Sequence, residues 1–74
     1  MNKVLLQFEK HTRLGPTYAS ELLGMAYSTY AQVRNGRRDL QSYTQRHIQA
    51  LMLLPRDTLT TLISEHVRDG WNNS

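Results

Sequence analysis

Apolar residues recur at helical spacing along the whole chain, in segments separated by glycine or proline. The separating stretches read LGP, LGM, NGRRD, LLP and DGWNNS. Between them lie segments of helical length, and no window alternates with the period of two that a half-buried strand requires. The sequence therefore predicts an all-α fold, a compact bundle of about five helices in a single domain over residues 1–74.

The apolar positions also predict which side of each helix faces the core. Their spacing of three or four residues is that of one helical face. For the first four segments the predicted inward residues are Val4, Leu5, Phe8, Ala19, Leu22, Leu23, Tyr30, Val33, Ile48, Leu51 and Met52. Local signals predict where helices begin: Pro16 suits a first helical position, and Ser42 with Gln45 three residues later has the spacing of a capping box.

The fifth segment, about residues 55–69, carries an aliphatic stripe with two alternative uses. It begins at Pro55, and Asp57 lies near the positive end of the predicted helix dipole. The stripe consists of Leu59, Leu62, Ile63 and Val67. It can complete the core of the bundle or face a second subunit, and we predict a homodimer formed through this region. Trp71, in the tail that follows, is either anchored there or loose.

The predicted second and third helices are joined by only three residues, GMA, at positions 24–26. A connection this short makes two helices meet at a steep angle, and Gly24 supplies the positive φ that a residue with a side chain resists. Ala19 and Ser20 are small where the helices cross, and Met25 is predicted to enter the core after the turn. The spacing predicts a helix-turn-helix over about residues 17–34.

The predicted third helix has a polar outer side that suits the edges of DNA base pairs. With Tyr30 and Val33 turned inward, the outward residues are Tyr27, Ser28, Ala31, Gln32 and Asn35. A major groove admits one α-helix, and Gln32 can bond an adenine edge in two places. Ser28 and Thr29 can donate or accept hydrogen bonds there. Ala31 and the ring of Tyr27 can meet a thymine methyl group.

Basic residues are concentrated in the first half of the chain. The formal net charge is +3, and the first 38 residues hold six basic against two acidic side chains, whereas the remainder holds three against four. The end of the third helix and the turn after it offer Arg34, Asn35, the Gly36 amide, Arg37 and Arg38. Such groups suit phosphate oxygens, which fix position without reading sequence. A polyanion is therefore the predicted partner of this face.

The stretch ASELLGMAYSTYAQVRNGRR, residues 19–38, resembles the helix-turn-helix of the lambda-repressor-like family, which includes phage Cro and repressor proteins and their bacterial relatives. The resemblance implies a compact bundle of about five helices that binds operator DNA as a dimer and regulates transcription. Two residues depart from the family pattern. Ser20 stands where alanine is more usual, and Tyr30 stands where valine or isoleucine is more common.

The resemblance also implies roles for single residues. On the family pattern, Tyr27, Ser28 and Gln32 fall on positions that contact bases. Asn35 falls on a position that contacts phosphate. Thr17 and Tyr18 open the helix that crosses the DNA backbone.

Length and composition argue against several other classes of protein. A chain of 74 residues leaves little room for a deep catalytic cleft, and the absence of cysteine excludes disulfides and thiolate metal sites. His11, His47 and His66 fall in three different predicted helices without metal-ligand spacing. The apolar run near the amino terminus is too short for a signal peptide or a membrane span. We therefore expect a cytoplasmic protein with no cofactor, metal, small-molecule ligand or membrane association.

These features together predict a DNA-binding regulator of transcription rather than an enzyme. Its predicted form is a dimeric repressor of phage or prophage type that binds a palindromic operator in double-stranded DNA. The alternative is a protein-binding adaptor or inhibitor built on the same fold, which acts on a host regulator or on polymerase. A mobility shift with DNA from upstream of the gene would separate the two.

Overall fold

The computed structural model describes residues 1–67, and these form five α-helices. Their bounds are α1 (Lys3–Thr12), α2 (Pro16–Leu23), α3 (Tyr27–Arg34), α4 (Ser42–Met52) and α5 (Arg56–His66). No strand occurs among the described residues. The predicted all-α class is confirmed, and α2 begins at Pro16 and ends before Gly24, as predicted.

The core forms around α2, which packs against each of the other four helices. Small side chains at Ala19 and Ser20, both buried, let its neighbours approach closely. The largest completely buried side chains are Leu5, Phe8, Tyr30, Ile48, Leu59 and Ile63, contributed by the four helices around α2. The predicted inward faces are thus confirmed, although Val4 and Met52 lie only partly buried at the edge of the core.

Glycine ends both α2 and α3 with the same hydrogen-bond pattern. Gly24 has a φ of 71°, its N–H donates to the Glu21 carbonyl at 3.0 Å, and the next N–H donates to the Ser20 carbonyl at 2.9 Å. Gly36, with a φ of 82°, repeats the arrangement at the end of α3. This is the Schellman motif, which satisfies helix-terminal carbonyls and requires a left-handed residue. It stops both helices sharply and fixes the turn between them.

The start of α4 differs from the prediction of a capping box. The residue at the N-cap is Gln41, with a φ of −65° and a ψ of 145°, and no side chain caps the helix. Ser42 is already the first helical residue. An N-cap side chain can reach the amides two or three residues ahead only from an extended backbone, so Ser42 does not bond the Gln45 amide. The predicted capping box is therefore wrong.

The aliphatic stripe of α5 lies in the core of the single chain. Leu59, Ile63 and Val67 are 1%, 2% and 5% exposed, and α5 packs against α2. Side chains covered in this way have no surface left for a second subunit, so their assignment to a dimer contact is corrected to a core role. Leu62 is only half-buried and keeps some exposed surface.

The end of α5 also differs from the predicted bounds. The helix ends at His66, because Val67 has an extended backbone with a φ of −100° and a ψ of 113°. The prediction extended the helix to position 69. The continuation of the helix beyond Val67 and the predicted alternatives for Trp71 lie outside the described residues.

Candidate nucleic-acid interface

Helix α3 turns two residues into the core and presents the opposite side to solvent. Tyr30 is completely buried and Val33 is 2% exposed. On the other side Ser28 and Gln32 are exposed, and Tyr27 is 52% exposed. The two remaining predicted base-contacting residues, Thr29 and Ala31, are half-buried at the edges of this side. The polar outer side predicted from helical geometry is thus present, with Ser28 and Gln32 at its centre.

A partly buried ion pair joins the inner side of α3 to α1. The Arg34 Nε donates to Glu9 Oε2 at 2.8 Å, and its second terminal nitrogen donates to Glu9 Oε1 at 3.2 Å. The Tyr30 hydroxyl donates to Glu9 Oε2 at 2.7 Å. Two causes raise the pKa of Tyr30 far above its ordinary value, burial as the larger and this hydrogen bond as the smaller, so the hydroxyl stays protonated. The bond to Glu9 likewise raises the pKa of Arg34.

This arrangement gives Arg34 a different partner from the predicted one. We expected its guanidinium to contact DNA phosphate, but it forms a two-point bond with a carboxylate whose side chain is 11% exposed. The Arg34 carbonyl is also occupied, because the Asn2 N–H donates to it at 2.9 Å. Arg34 therefore attaches α3 to the amino-terminal segment, and a contact of its guanidinium with DNA phosphate stays a prediction.

Sequence reasoning missed Glu9, although one signal pointed to it. Leu5, Phe8 and Thr12 define the buried stripe of α1, and Glu9 lies one helical turn after Leu5 and beside Phe8. An acidic residue at the margin of an apolar stripe needs a partner when the helix is packed. Its partner, Arg34, lies 25 positions away along the chain.

The turn after α3 carries exposed polar and basic side chains. Asn35, Arg37 and Arg38 are exposed, and within residues 1–67 neither arginine forms an ion pair. The Gly36 amide is not available in the predicted way, because it donates to the Val33 carbonyl at 3.1 Å. The turn thus offers side chains, and not this amide, to a ligand.

Three helices begin without any side chain on their first amides. The residues at the N-caps of α2, α3 and α4 are Gly15, Ala26 and Gln41; none makes a side-chain capping bond, and no acidic residue lies in these first turns. In α2 this leaves the amides of Thr17 and Tyr18 without an acceptor among the described residues. Thr17 is exposed, and Tyr18 is partly buried against the core. Free amides at the positive end of a helix dipole attract anions.

The starts of α3 and α4 border one groove of about 370 Å³. Ala26 and Thr29 line it from α3, and Arg38 lines it from the turn together with Asp39. Thr44 of α4 also lines it, and although this residue is only 8% exposed, its hydroxyl has no hydrogen-bond partner among residues 1–67. Sequence reasoning missed the first turn of α4 as part of this face, because it expected Ser42 to cap that turn.

We call these features together the open surface. It comprises the outer residues of α3, the exposed side chains of the turn at residues 35–38, and the uncapped first turns of α2, α3 and α4. Within residues 1–67, no three His, Asp or Glu side chains are grouped so as to hold a metal ion. In the same range no helix has the length and apolar character needed to cross a membrane.

Comparison of the chain with protein-family models, with curated proteins and with solved structures finds no match. The ligand of the open surface is therefore inferred from its own geometry and charge. Among residues 1–67, those properties are a short polar helix face, two arginines without an ion-pair partner and helix-terminal amides without an acceptor.

Proposed function

We propose that the protein is a sequence-specific DNA-binding regulator of transcription that places α3 in the major groove. The observation that carries this proposal is the position of an exposed polar helix face directly before an exposed basic turn. Only residues 24–26 separate α2 from α3, the two helices pack against each other, and this short connection supports a helix-turn-helix. This function needs neither a catalytic site nor a cofactor.

The outer side of α3 has the size and chemistry to read bases. Eight helical residues span about 12 Å, the width of the major groove. Gln32 is exposed at the centre of this side and can bond both N6 and N7 of adenine. Ser28, one turn earlier, can donate or accept at a neighbouring base pair. Tyr27 and Ala31 provide apolar contact for a thymine methyl group, and Thr29 lies at the edge of the face.

The groups around α3 suit the DNA backbone on either side of the groove. Arg37 and Arg38 are exposed and unpaired within the described residues, so their charge is available to phosphate. Asn35 and Thr17 offer exposed polar side chains, and the amides of the uncapped first turns point outward from positive helix ends. Such contacts supply most of the affinity and no sequence information.

We further propose that the protein acts in the cytoplasm as a homodimeric repressor of phage type on a palindromic operator. A helix of this length reads only a few base pairs, so useful specificity needs two copies about 34 to 36 Å apart. The stripe of α5 does not support this dimer, because three of its four residues are core. Leu62 is the one member of the stripe with surface left for a partner subunit.

One observation favours the alternative of a protein-binding adaptor or inhibitor. Tyr27 is 52% exposed and Tyr43 is 74% exposed, and Tyr43 lines the same groove as Ala26 and Arg38. Exposed tyrosines beside arginine are typical of the central residues of protein interfaces. A regulator or polymerase would then occupy the face assigned above to DNA.

Selection of duplexes from a random-sequence DNA library tests the proposal and separates the two alternatives. A DNA-binding regulator should enrich a defined sequence and bind it more tightly than a scrambled duplex. Replacing both Arg37 and Arg38 by alanine should weaken binding to all duplexes alike and reduce the salt slope by about one for each lost phosphate contact. The same substitution at Lys10, an exposed residue of α1, serves as the control. Failure of the wild-type protein to enrich any sequence would favour the protein-binding alternative.

A further inference from the structure

The Glu9 carboxylate receives hydrogen bonds from two residues of α3 that lie one helical turn apart. Tyr30 and Arg34 both point toward α1, and their bonds to Glu9 measure 2.7, 2.8 and 3.2 Å. The main packing of α1 is on α2 and α4, and that of α3 is on α2. The bridge through Glu9, together with the bond between Asn2 and the Arg34 carbonyl, is therefore the polar connection between α1 and α3.

This bridge lies on the side of α3 opposite the residues proposed to read bases. Successive helical residues are rotated by about 100°, so Ser28 and Gln32 are about 160° from Tyr30 around the helix axis. A guanidinium fork on a carboxylate fixes an angle as well as a distance. A contact of this kind on one side of a helix restrains the rotation of the opposite side.

We propose that Glu9 is a positioning residue for the open surface: by holding Tyr30 and Arg34 it sets the rotation of α3 about its axis, and with it which side chains reach the bases. This inference rests on the proposed function. The side-chain tips of a helix lie about 5 to 6 Å from its axis, so a rotation of 20° displaces them by about 2 Å. A displacement of that size breaks a hydrogen bond to a base edge.

Glu9 also determines whether the Arg34 guanidinium is paired. While paired, the guanidinium is held on the inner side of α3 with its side chain 25% exposed. Without the carboxylate, Arg34 becomes an additional unpaired cation at the end of α3, beside the basic turn. Loss of Glu9 should therefore weaken the binding of the selected sequence while leaving non-specific binding unchanged or stronger. A merely structural loss would lower both by the same factor, because it only reduces the folded fraction.

The test uses Glu9→Gln and measures the ratio of affinities for the selected and a scrambled duplex. The matched control is Glu65→Gln, which removes the same charge from an exposed residue of α5. Binding is measured at a temperature at which circular dichroism shows both variants folded. We expect the ratio to fall at least tenfold for Glu9→Gln and to stay within twofold of the wild type for the control. An equal ratio for both variants would overturn the inference while leaving the proposed function intact.

Exchange of the two charges, Glu9→Arg with Arg34→Glu, provides the rescue experiment. The pair can form again at the same place, so the ratio should recover to within about threefold of the wild type. Failure to recover in a folded protein would mean that Arg34 acts at the DNA and not through Glu9. If Glu9→Gln does not fold, Tyr30→Phe removes one of the three bonds and should lower the ratio about threefold; an unchanged ratio would overturn the inference. A wild-type protein that selects no sequence would overturn both the inference and the proposed function.

Discussion

The five helices of residues 1–67 begin in two different ways. Helix α1 is closed by Asn2, whose side chain accepts hydrogen bonds from the amides of Val4 and Leu5 at 3.0 and 3.2 Å. Helix α5 carries Asp57 in its first turn, and this carboxylate accepts from the Thr58 amide at 2.9 Å. Helices α2, α3 and α4 have no such groups.

This difference distinguishes helix starts whose amides are bonded within the fold from helix starts whose amides are free to bind a ligand. A side-chain cap contributes about 1 kcal/mol, and four of the five helices in residues 1–67 begin without one. Of these four, α5 still has Asp57 in its first turn, whereas α2, α3 and α4 have no side-chain acceptor there. All three belong to the open surface, where an anion would complete the missing bonds. Substitutions of core residues in α5 should therefore act mainly on stability, and substitutions of exposed side chains in the open surface should act mainly on binding.

The largest expected effect is on stability, in α5. Ile63 is 2% exposed in the core of the single chain, so Ile63→Ala should lower the free energy of unfolding by about 2 to 5 kcal/mol. The control is Leu53→Ala at a residue that is 84% exposed, which should change it by less than about 0.5 kcal/mol. Urea denaturation followed by circular dichroism measures both. If Ile63→Ala kept the stability of the wild type and lost only self-association, the stripe of α5 would be a contact between subunits and not part of the core.

The second largest expected effect is on the recognition of bases by α3. Gln32→Ala should cost about 1 to 3 kcal/mol at one base pair of each half-site and leave stability and non-specific binding nearly unchanged, because the side chain is exposed and directed away from the core. Binding to a set of operators, each changed at one base pair, locates the effect. A uniform loss across the set would place Gln32 among the residues that contact the DNA backbone.

Local patterns in the sequence predicted most of the fold but not how its parts meet. Pro16 and Gly24 mark the two ends of α2 by their own backbone preferences, and those bounds were correct. The capping box failed because α4 begins one residue earlier than predicted, so that Gln41 holds the N-cap and Ser42 is already helical. Amphipathic spacing correctly identified the stripe of α5. Spacing alone does not say whether the chain or a second subunit covers such a stripe.

The residues of the candidate site show the same limit. The outward position of Gln32 follows from Tyr30 and Val33 being buried, which is a local argument. The partner of Arg34 is set by how α1 and α3 are both placed around α2, and no local pattern within either helix contains that information. A basic residue at the end of a helix was therefore expected to face solvent, although its acidic partner was present in the sequence.

A third prediction concerns the buried tyrosine of the bridge. Tyr30 has a pKa raised above its ordinary value of 10.0, by burial first and by the bond to Glu9 second. Its contribution to stability is complete below about pH 10 and is lost as pH rises from there toward the folded-state value, because the unfolded chain releases the proton first. Stability should therefore fall above pH 10, by at most about 1.4 kcal/mol per pH unit from this group.

Urea unfolding at a series of pH values from 9 to 11.5 measures this slope. Tyr30→Phe should be less stable near neutral pH, because the bond to Glu9 is lost, but its stability should fall less steeply above pH 10. Tyr43→Phe, at a residue that is 74% exposed, should keep the slope of the wild type. If stability fell equally steeply with pH in the wild type and in Tyr30→Phe, the Tyr30 hydroxyl would not be buried and bonded to Glu9 in the folded protein.

The smallest expected change has opposite signs for stability and binding. Gln41 occupies the N-cap of α4 with an extended backbone, but its side chain does not cap. Aspartate at this position can accept from the amides that are now free, so Gln41→Asp should raise the free energy of unfolding by about 0.5 to 1 kcal/mol. The same carboxylate would occupy the place of a phosphate at the groove that Arg38 lines, and DNA binding should weaken by a few-fold or more.

Gln49→Glu places the same charge on the exposed part of α4 away from its start and should change binding much less. Thermal unfolding and DNA titration on the two variants would measure both quantities. A more stable Gln41→Asp protein with unchanged DNA binding would show that the open start of α4 has no ligand to receive, and would remove α4 from the open surface.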